Sequence, residues 1–212
     1  MKTLDVALVG LVLSNLWLLG SSRMSACIRI VALQGILVSL VTLAAPLEGL
    51  TVHVLIMAAA SGVLKTVVFP RLLARTLREV NVRREVEPFI GFTTSVLAGT
   101  AALGISIWIA SRLPLPGPVR SSLVVPTALS TMLTGLLLIL SRRKALSGVI
   151  GYIVLENGIY TFGVALALRE PVIVELGVLL DVFVAVFVMG ITIFNISREF
   201  APEADRLDSL KD

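Results

Sequence analysis

Acidic and basic side chains stand inside stretches of this chain that are otherwise apolar. Glu156 lies in GYIVLENGIYTFG and Asp181 in VELGVLLDVFVAVFVMG, with Glu175 about two helical turns before Asp181. Lys65 sits in LKTVVFP and Gln34 in VALQGILVSL. A charge at the centre of a membrane-spanning helix costs roughly 2.5–3.5 kcal/mol even on the lenient insertion scale, so such residues face protein or water and mark function. Burial disfavours ionisation of a carboxyl group. A carboxyl that titrates near working pH takes up and releases a proton, and two on consecutive helices can pass protons through intervening water. Lys65, neutralised by burial or paired with a carboxylate, would modulate that transfer. The chemistry expected is therefore a proton relay over Glu156, Asp181, Glu175 and Lys65, with Gln34, Asn157 and Tyr160 as auxiliary polar groups.

Each residue also has a plainer reading. Glu156 and Asp181 can serve as interhelical hydrogen-bonding groups, and Gln34 as glue between helices. Glu175 can be hydrated near the outer surface. Lys65 and Arg29 can snorkel to the interface. Against lipid exposure, Gly177, Asp181 and Ala185 form a small-residue stripe, and Tyr152, Glu156, Tyr160 and Gly163 share one helical face. Ala58, Ser61, Gly62 and Lys65 share another.

Other chemistry has little to build on. There is one cysteine, Cys27, and one histidine, His53, so an internal disulfide, an iron–sulfur cluster and a paired-histidine metal or haem site are all excluded from the sequence. No nucleophile–base arrangement or phosphate loop is present, so the chain is expected to be no enzyme, with no catalytic residue and with no cofactor or metal of its own. The net charge of +4 is confined to loops between apolar blocks, an orientation signal and not a nucleic-acid footprint.

The elements that must position these residues are membrane helices. Hydrophobic residues make up 57% of the chain and charged residues 15%, and the mean hydropathy is +0.99. A soluble domain carries about 25% charged residues. The apolar residues come in blocks of about twenty, enough to cross ~30 Å of hydrocarbon as helix. Alternating segments of the β-barrel kind are absent. The expected fold is all-α, a polytopic membrane protein of about seven transmembrane helices, at residues 4–20, 25–45, 51–69, 89–110, 123–140, 147–168 and 171–196. Asp5 and the spans that follow argue for a retained first helix and against a leader peptide. Pro70 is expected to stop the third helix, and the charged stretch 71–87 to form a cytoplasmic loop or a docking surface for an acidic partner or lipid headgroups.

Seven spans place Arg23, Arg71, Arg75, Arg78, Arg83, Arg84, Arg142, Arg143, Lys144, Arg198, Arg206 and Lys211 on one side. The other side holds only Lys2, Arg112, Arg120 and Arg169. The positive-inside rule then puts the N-terminus outside and the C-terminus in the cytoplasm, in a prokaryotic cell membrane. Laying VALQGILVSL beside IVLENGIYTF sets Leu33 on Leu155 and Gln34 on Glu156, which resembles the trace of a duplicated three-helix unit. The expected organisation is an N-terminal three-helix unit over 1–88, a connecting helix and turn over 89–121, and a C-terminal three-helix unit with a short tail over 122–212.

GYIVLENGIY followed by VELGVLLDVFVAVFVMG resembles the hydrogenase-four component E family, as do LKTVVFPRLL and the SRRK loop. Members of that family are membrane subunits of energy-converting [NiFe]-hydrogenase and formate-hydrogenlyase-type complexes. The C-terminal three helices are similar to the K-type subunit of respiratory complex I and the C subunit of Mrp antiporters. The resemblance implies that Glu156 and Asp181 match two buried acids of a lateral proton path. The K-type subunit carries glutamate where this chain has Asp181, so a relay there would need a shifted water or a closer partner. It also implies antiporter-like and other complex-I-like membrane chains as partners, and through them a NiFe-hydrogenase or similar redox module. The function expected is that of a non-catalytic, proton-conducting subunit. A self-contained ion transporter and a purely structural membrane-arm subunit are the alternatives.

Overall fold

A computed structural model describes residues 2–44, 52–79, 89–114, 121–142, 145–166 and 190. The chain is a membrane protein whose described residues form helices and no strand. Its helices are α1 (Lys2–Gly20), α2 (Met24–Ala44), α3 (Val52–Val63), a π-helical turn (Leu64–Val68), α4 (Phe69–Glu79), α5 (Phe92–Arg112), α6 (Val124–Ser141) and α7 (Ala145–Leu166). Among the described residues, four segments are long and apolar enough to cross a membrane: Thr3–Gly20, Met24–Ala44, Phe92–Arg112 and Val124–Ser141. Of the expected seventh span, over 171–196, only Gly190 is among the described residues; Glu175 and Asp181 lie outside them.

In lipid the hydrocarbon chains are as apolar as leucine, so packing and interhelical hydrogen bonds, not water avoidance, hold helices together. Small residues supply the packing here. A Cβ on Gly135 would collide with the backbone nitrogen of Leu155, and one on Gly158 would lie 2.6 Å from that of Met132. Helices α6 and α7 therefore meet backbone to backbone. The outward faces carry bare apolar side chains: Leu13 and Trp17 on α1, and Leu97, Ile105 and Trp108 on α5 are all exposed. These are the faces that hydrocarbon solvates.

The interior is stratified. One apolar cluster joins Leu18 and Leu19 of α1, Met24 to Val31 of α2, Phe69 and Leu73 of α4, Leu138 of α6, and Val149 to Val154 of α7. A second joins Leu4 to Leu11 of α1, Val38 and Val41 of α2, Val124 and Val125 of α6, and Tyr160 of α7. Along every one of these helices except α4 the two clusters are separated by a few residues. Those residues are Ser14 and Asn15, Gln34, Thr131, and Glu156 and Asn157, all buried. A polar layer thus crosses the bundle at mid-depth between two apolar slabs.

Pro70 does not end the third helix. Val52 to Glu79 run continuously, because the π turn carries the chain through the proline. An α-helix would need a Pro70 N–H to bond the Thr66 carbonyl, and the proline ring would collide with that carbonyl. The Phe69 N–H instead bonds the Leu64 carbonyl, five residues back, and the widened turn relieves the collision. The charged stretch begins as helix: α4 buries Phe69, Leu73 and Thr76 and exposes Arg71, Arg75 and Arg78. Residues 80–88 of that stretch lie outside the described residues.

Candidate functional site

The π turn also aims Lys65. Ser61, Lys65, Phe69 and Leu73 are all buried, at successive spacings of four. In a plain α-helix each step of four overshoots a full turn by about 40° and the buried stripe drifts around the helix. The wider turn at 64–68 absorbs part of that drift, so Lys65 and Phe69 both face inward. Helix α2 presses on this turn. A Cβ at Gly35 would lie 2.8 Å from the Lys65 carbonyl carbon, so only glycine lets the two backbones approach so closely.

From that position Lys65 Nζ donates to Glu156 Oε1 on α7 at 2.7 Å. Both residues are 1% exposed. The ammonium also lies 4.4 Å from the centroid of the Tyr160 ring, one turn beyond Glu156. The aromatic face adds cation–π attraction, which strengthens where water is excluded. A buried charge is costly unless paired, and removing one partner of such a pair destabilises by roughly 3–5 kcal/mol. Lys65 therefore does not snorkel to the interface: its charge is met within the bundle.

Beside the ion pair runs a hydrogen-bonded string of amides and hydroxyls. Asn157 Nδ2 approaches Gln34 Oε1 at 3.4 Å. Gln34 Nε2 donates to Asn15 Oδ1 at 2.8 Å and to Ser14 Oγ at 3.0 Å. Asn15 Nδ2 donates to Thr131 Oγ1 at 2.8 Å, and Thr131 Oγ1 donates to the Thr127 carbonyl at 2.7 Å. Four helices, α1, α2, α6 and α7, are thereby tied at one depth. Such a network fixes the rotation of each helix about its axis, because a turned helix would leave buried polar groups unsatisfied.

Of the residues singled out by sequence, Lys65, Glu156, Gln34, Asn157 and Tyr160 come together in this layer. Arg29 is exposed on α2, away from it. Ser14, Asn15 and Thr131 belong to the layer and were not singled out. The signal available for Asn15 was an amide in the middle of an otherwise apolar helix. Among the described residues no group of three or more His, Cys, Asp or Glu side chains is placed to hold a metal ion. Chemically, the layer offers one carboxylate and one ammonium in contact, screened from water by apolar side chains above and below. Such a pair can gain or lose one proton while changing its net charge by only one unit.

No family model and no solved structure matches the chain. It is 29% identical to the Hydrogenase-4 component E of Escherichia coli over 162 residues, which cover 75% of this chain and 74% of that protein. The Hydrogenase-4 component E of Shigella flexneri matches to the same extent. The likeness runs further with the Uncharacterized protein Rv0085 of Mycobacterium tuberculosis, at 30% identity over 98% of this chain and 96% of that protein. With nearly all of both sequences aligned, the chain belongs to the family of that mycobacterial protein.

Proposed function

We propose that the chain is a non-catalytic membrane subunit of a hydrogenase-type, complex-I-like assembly, in which buried ionisable groups carry protons whose movement is driven by electron transfer in other subunits. The observation that carries this reading is the Lys65–Glu156 pair, buried at mid-depth in a chain similar to a hydrogenase component. Glu156 is the proton-accepting group. Lys65 is its partner in the pair, since a protonated Glu156 would leave that ammonium without its counter-charge. Tyr160 holds Lys65 from the other side. Asp181 and Glu175 on a seventh span would continue the relay, with the N-terminus outside and the C-terminus in the cytoplasm. The partners are antiporter-like and other membrane-arm chains, and through them a NiFe-hydrogenase or similar redox module.

The test is Glu156→Gln in the intact complex, in inverted membrane vesicles energised by the complex's electron donor. The complex is expected to assemble in lower yield, because the substitution strands the Lys65 ammonium, and the assembled fraction should keep its electron transfer. Donor-driven acidification should fall on the order of a hundredfold, the usual effect of losing a proton-transfer group. An unchanged number of protons per electron would overturn the assignment. The amide string that ties four helices favours one other reading, a structural subunit that locks its helices for larger partners. In that case the substitution lowers complex yield and leaves the proton-to-electron ratio of the surviving complex intact.

A further inference from the structure

A second buried cation lies at one end of the bundle. Arg142 follows the last residue of α6 and is 5% exposed. Its Nη2 donates to the Leu19 carbonyl at 2.7 Å, and its guanidinium carbon lies 4.8 Å from the centroid of the Phe92 ring. Its Nη1 has no hydrogen-bond partner, and no carboxylate among the described residues pairs with it. Burial pulls the guanidinium below its ordinary pKa, which the Cys27 thiol offsets only in part. The protein thus supplies this cation with little negative charge of its own.

Arg142 lines a cavity of about 10 Å³, whose other polar walls are Ser21, Cys27 and Ser147. The remaining walls are leucine, methionine and isoleucine side chains. Ser147 is 4% exposed, and its hydroxyl also has no partner. It stands in the first turn of α7, a helix of 22 residues, where backbone N–H groups lack intrahelical acceptors and the helix dipole favours negative charge. Two residues with unpartnered, buried donor atoms and a helix N-terminus thus border a space that admits one oxygen-sized atom.

We propose that this cavity takes one phosphate oxygen of an anionic phospholipid headgroup. An oxyanion supplies the acceptor that Arg142 Nη1 and Ser147 Oγ both need, and charge-assisted bonds to arginine are the strong ones. The cavity is too small for a whole phosphate, so the rest of the group stays outside it. The site lies where α1 ends and α7 begins, the level at which headgroups meet a spanning bundle, and the apolar half of its lining suits a lipid over a fully hydrated ion. Arg23, exposed between α1 and α2, adds long-range attraction for an anionic surface.

The test uses the full-length protein purified in mild detergent. Wild-type protein is expected to retain about one anionic phospholipid per chain through extensive washing, read by mass spectrometry of extracted lipids, as basic pockets between membrane helices do. Ser147→Leu, which fills the cavity and leaves Arg142 in place, and Arg142→Gln should both lose that lipid. Ser147→Leu should keep the wild-type helical circular dichroism and elution volume, so that its loss of lipid is not a loss of fold. Adding phosphatidylglycerol to delipidated protein should raise the melting temperature of wild type and not of Ser147→Leu. Equal lipid retention in wild type and Ser147→Leu would overturn the proposal. So would equal protection by inorganic phosphate alone, which would make the site one for a free ion.

Discussion

Gly35 of α2 lies against the carbonyl carbon of Lys65, so closely that a Cβ there would come within 2.8 Å of it. The contact is between backbones, and neither helix can shift without changing where the Lys65 side chain begins. Replacing Gly35 by alanine should therefore push α2 away from the π turn. The expected cost is about 1–3 kcal/mol, typical of overpacking. It is measurable by denaturant titration in mixed micelles. Proton-coupled activity should fall more than stability does, because the Lys65–Glu156 bond depends on this contact.

The ion pair predicts a particular pattern of stabilities. Lys65→Met and Glu156→Gln should each destabilise the fold by roughly 3–5 kcal/mol, since each strands a buried charge or forces it to neutralise. The double substitution should be more stable than the sum of the single effects implies. A double-mutant cycle checks this, and additive losses would mean that the two groups do not interact.

Pro70 should be the cause of the π turn. Pro70→Ala restores an N–H and removes the ring, so the turn can tighten to an ordinary α-helix. Without the widened turn the buried stripe over Ser61–Leu73 drifts, and Lys65 rotates out of line with Glu156. Proton-coupled activity is expected to drop by roughly tenfold or more, the equivalent of about 1.4 kcal/mol in a barrier. The helical content, read by circular dichroism, should stay the same.

The amide string makes a graded prediction. Gln34→Leu leaves Asn15 Oδ1 without its donor and Asn157 Nδ2 without its acceptor, both buried. The cost should be about 1–3 kcal/mol for each stranded group. Thr131→Val removes a single acceptor at the far end of the string and should cost less. The order of the two melting temperatures is the measurement.

Much of this site was legible in the sequence for a simple reason. A charged or amide side chain within an apolar run is energetically anomalous, and Glu156, Lys65, Gln34 and Asn157 announce themselves in that way. Helical periodicity then places Tyr160 with Glu156 on one face, as the structure does. The pairing of Lys65 with Glu156 was not legible, because residues 91 apart in sequence become neighbours only through helix packing, which periodicity does not encode. Ser14 and Thr131 escaped notice because hydroxyls are common in membrane helices and usually bond their own backbone, as Ser14 does to Leu11. The helix beyond Pro70 escaped because proline ordinarily reads as a stop, and only a turn of unusual width lets the helix pass it.

The two apolar slabs have a consequence for direction. A hydrogen ion resting on Glu156 meets Val154 and its neighbours toward one face of the bilayer, and Leu8, Leu11 and Val38 toward the other. Among the described residues, neither slab buries a second carboxylate to receive it. If Glu156 carries protons as proposed, its next carboxylate stands at the same height, beside this layer and not above or below it.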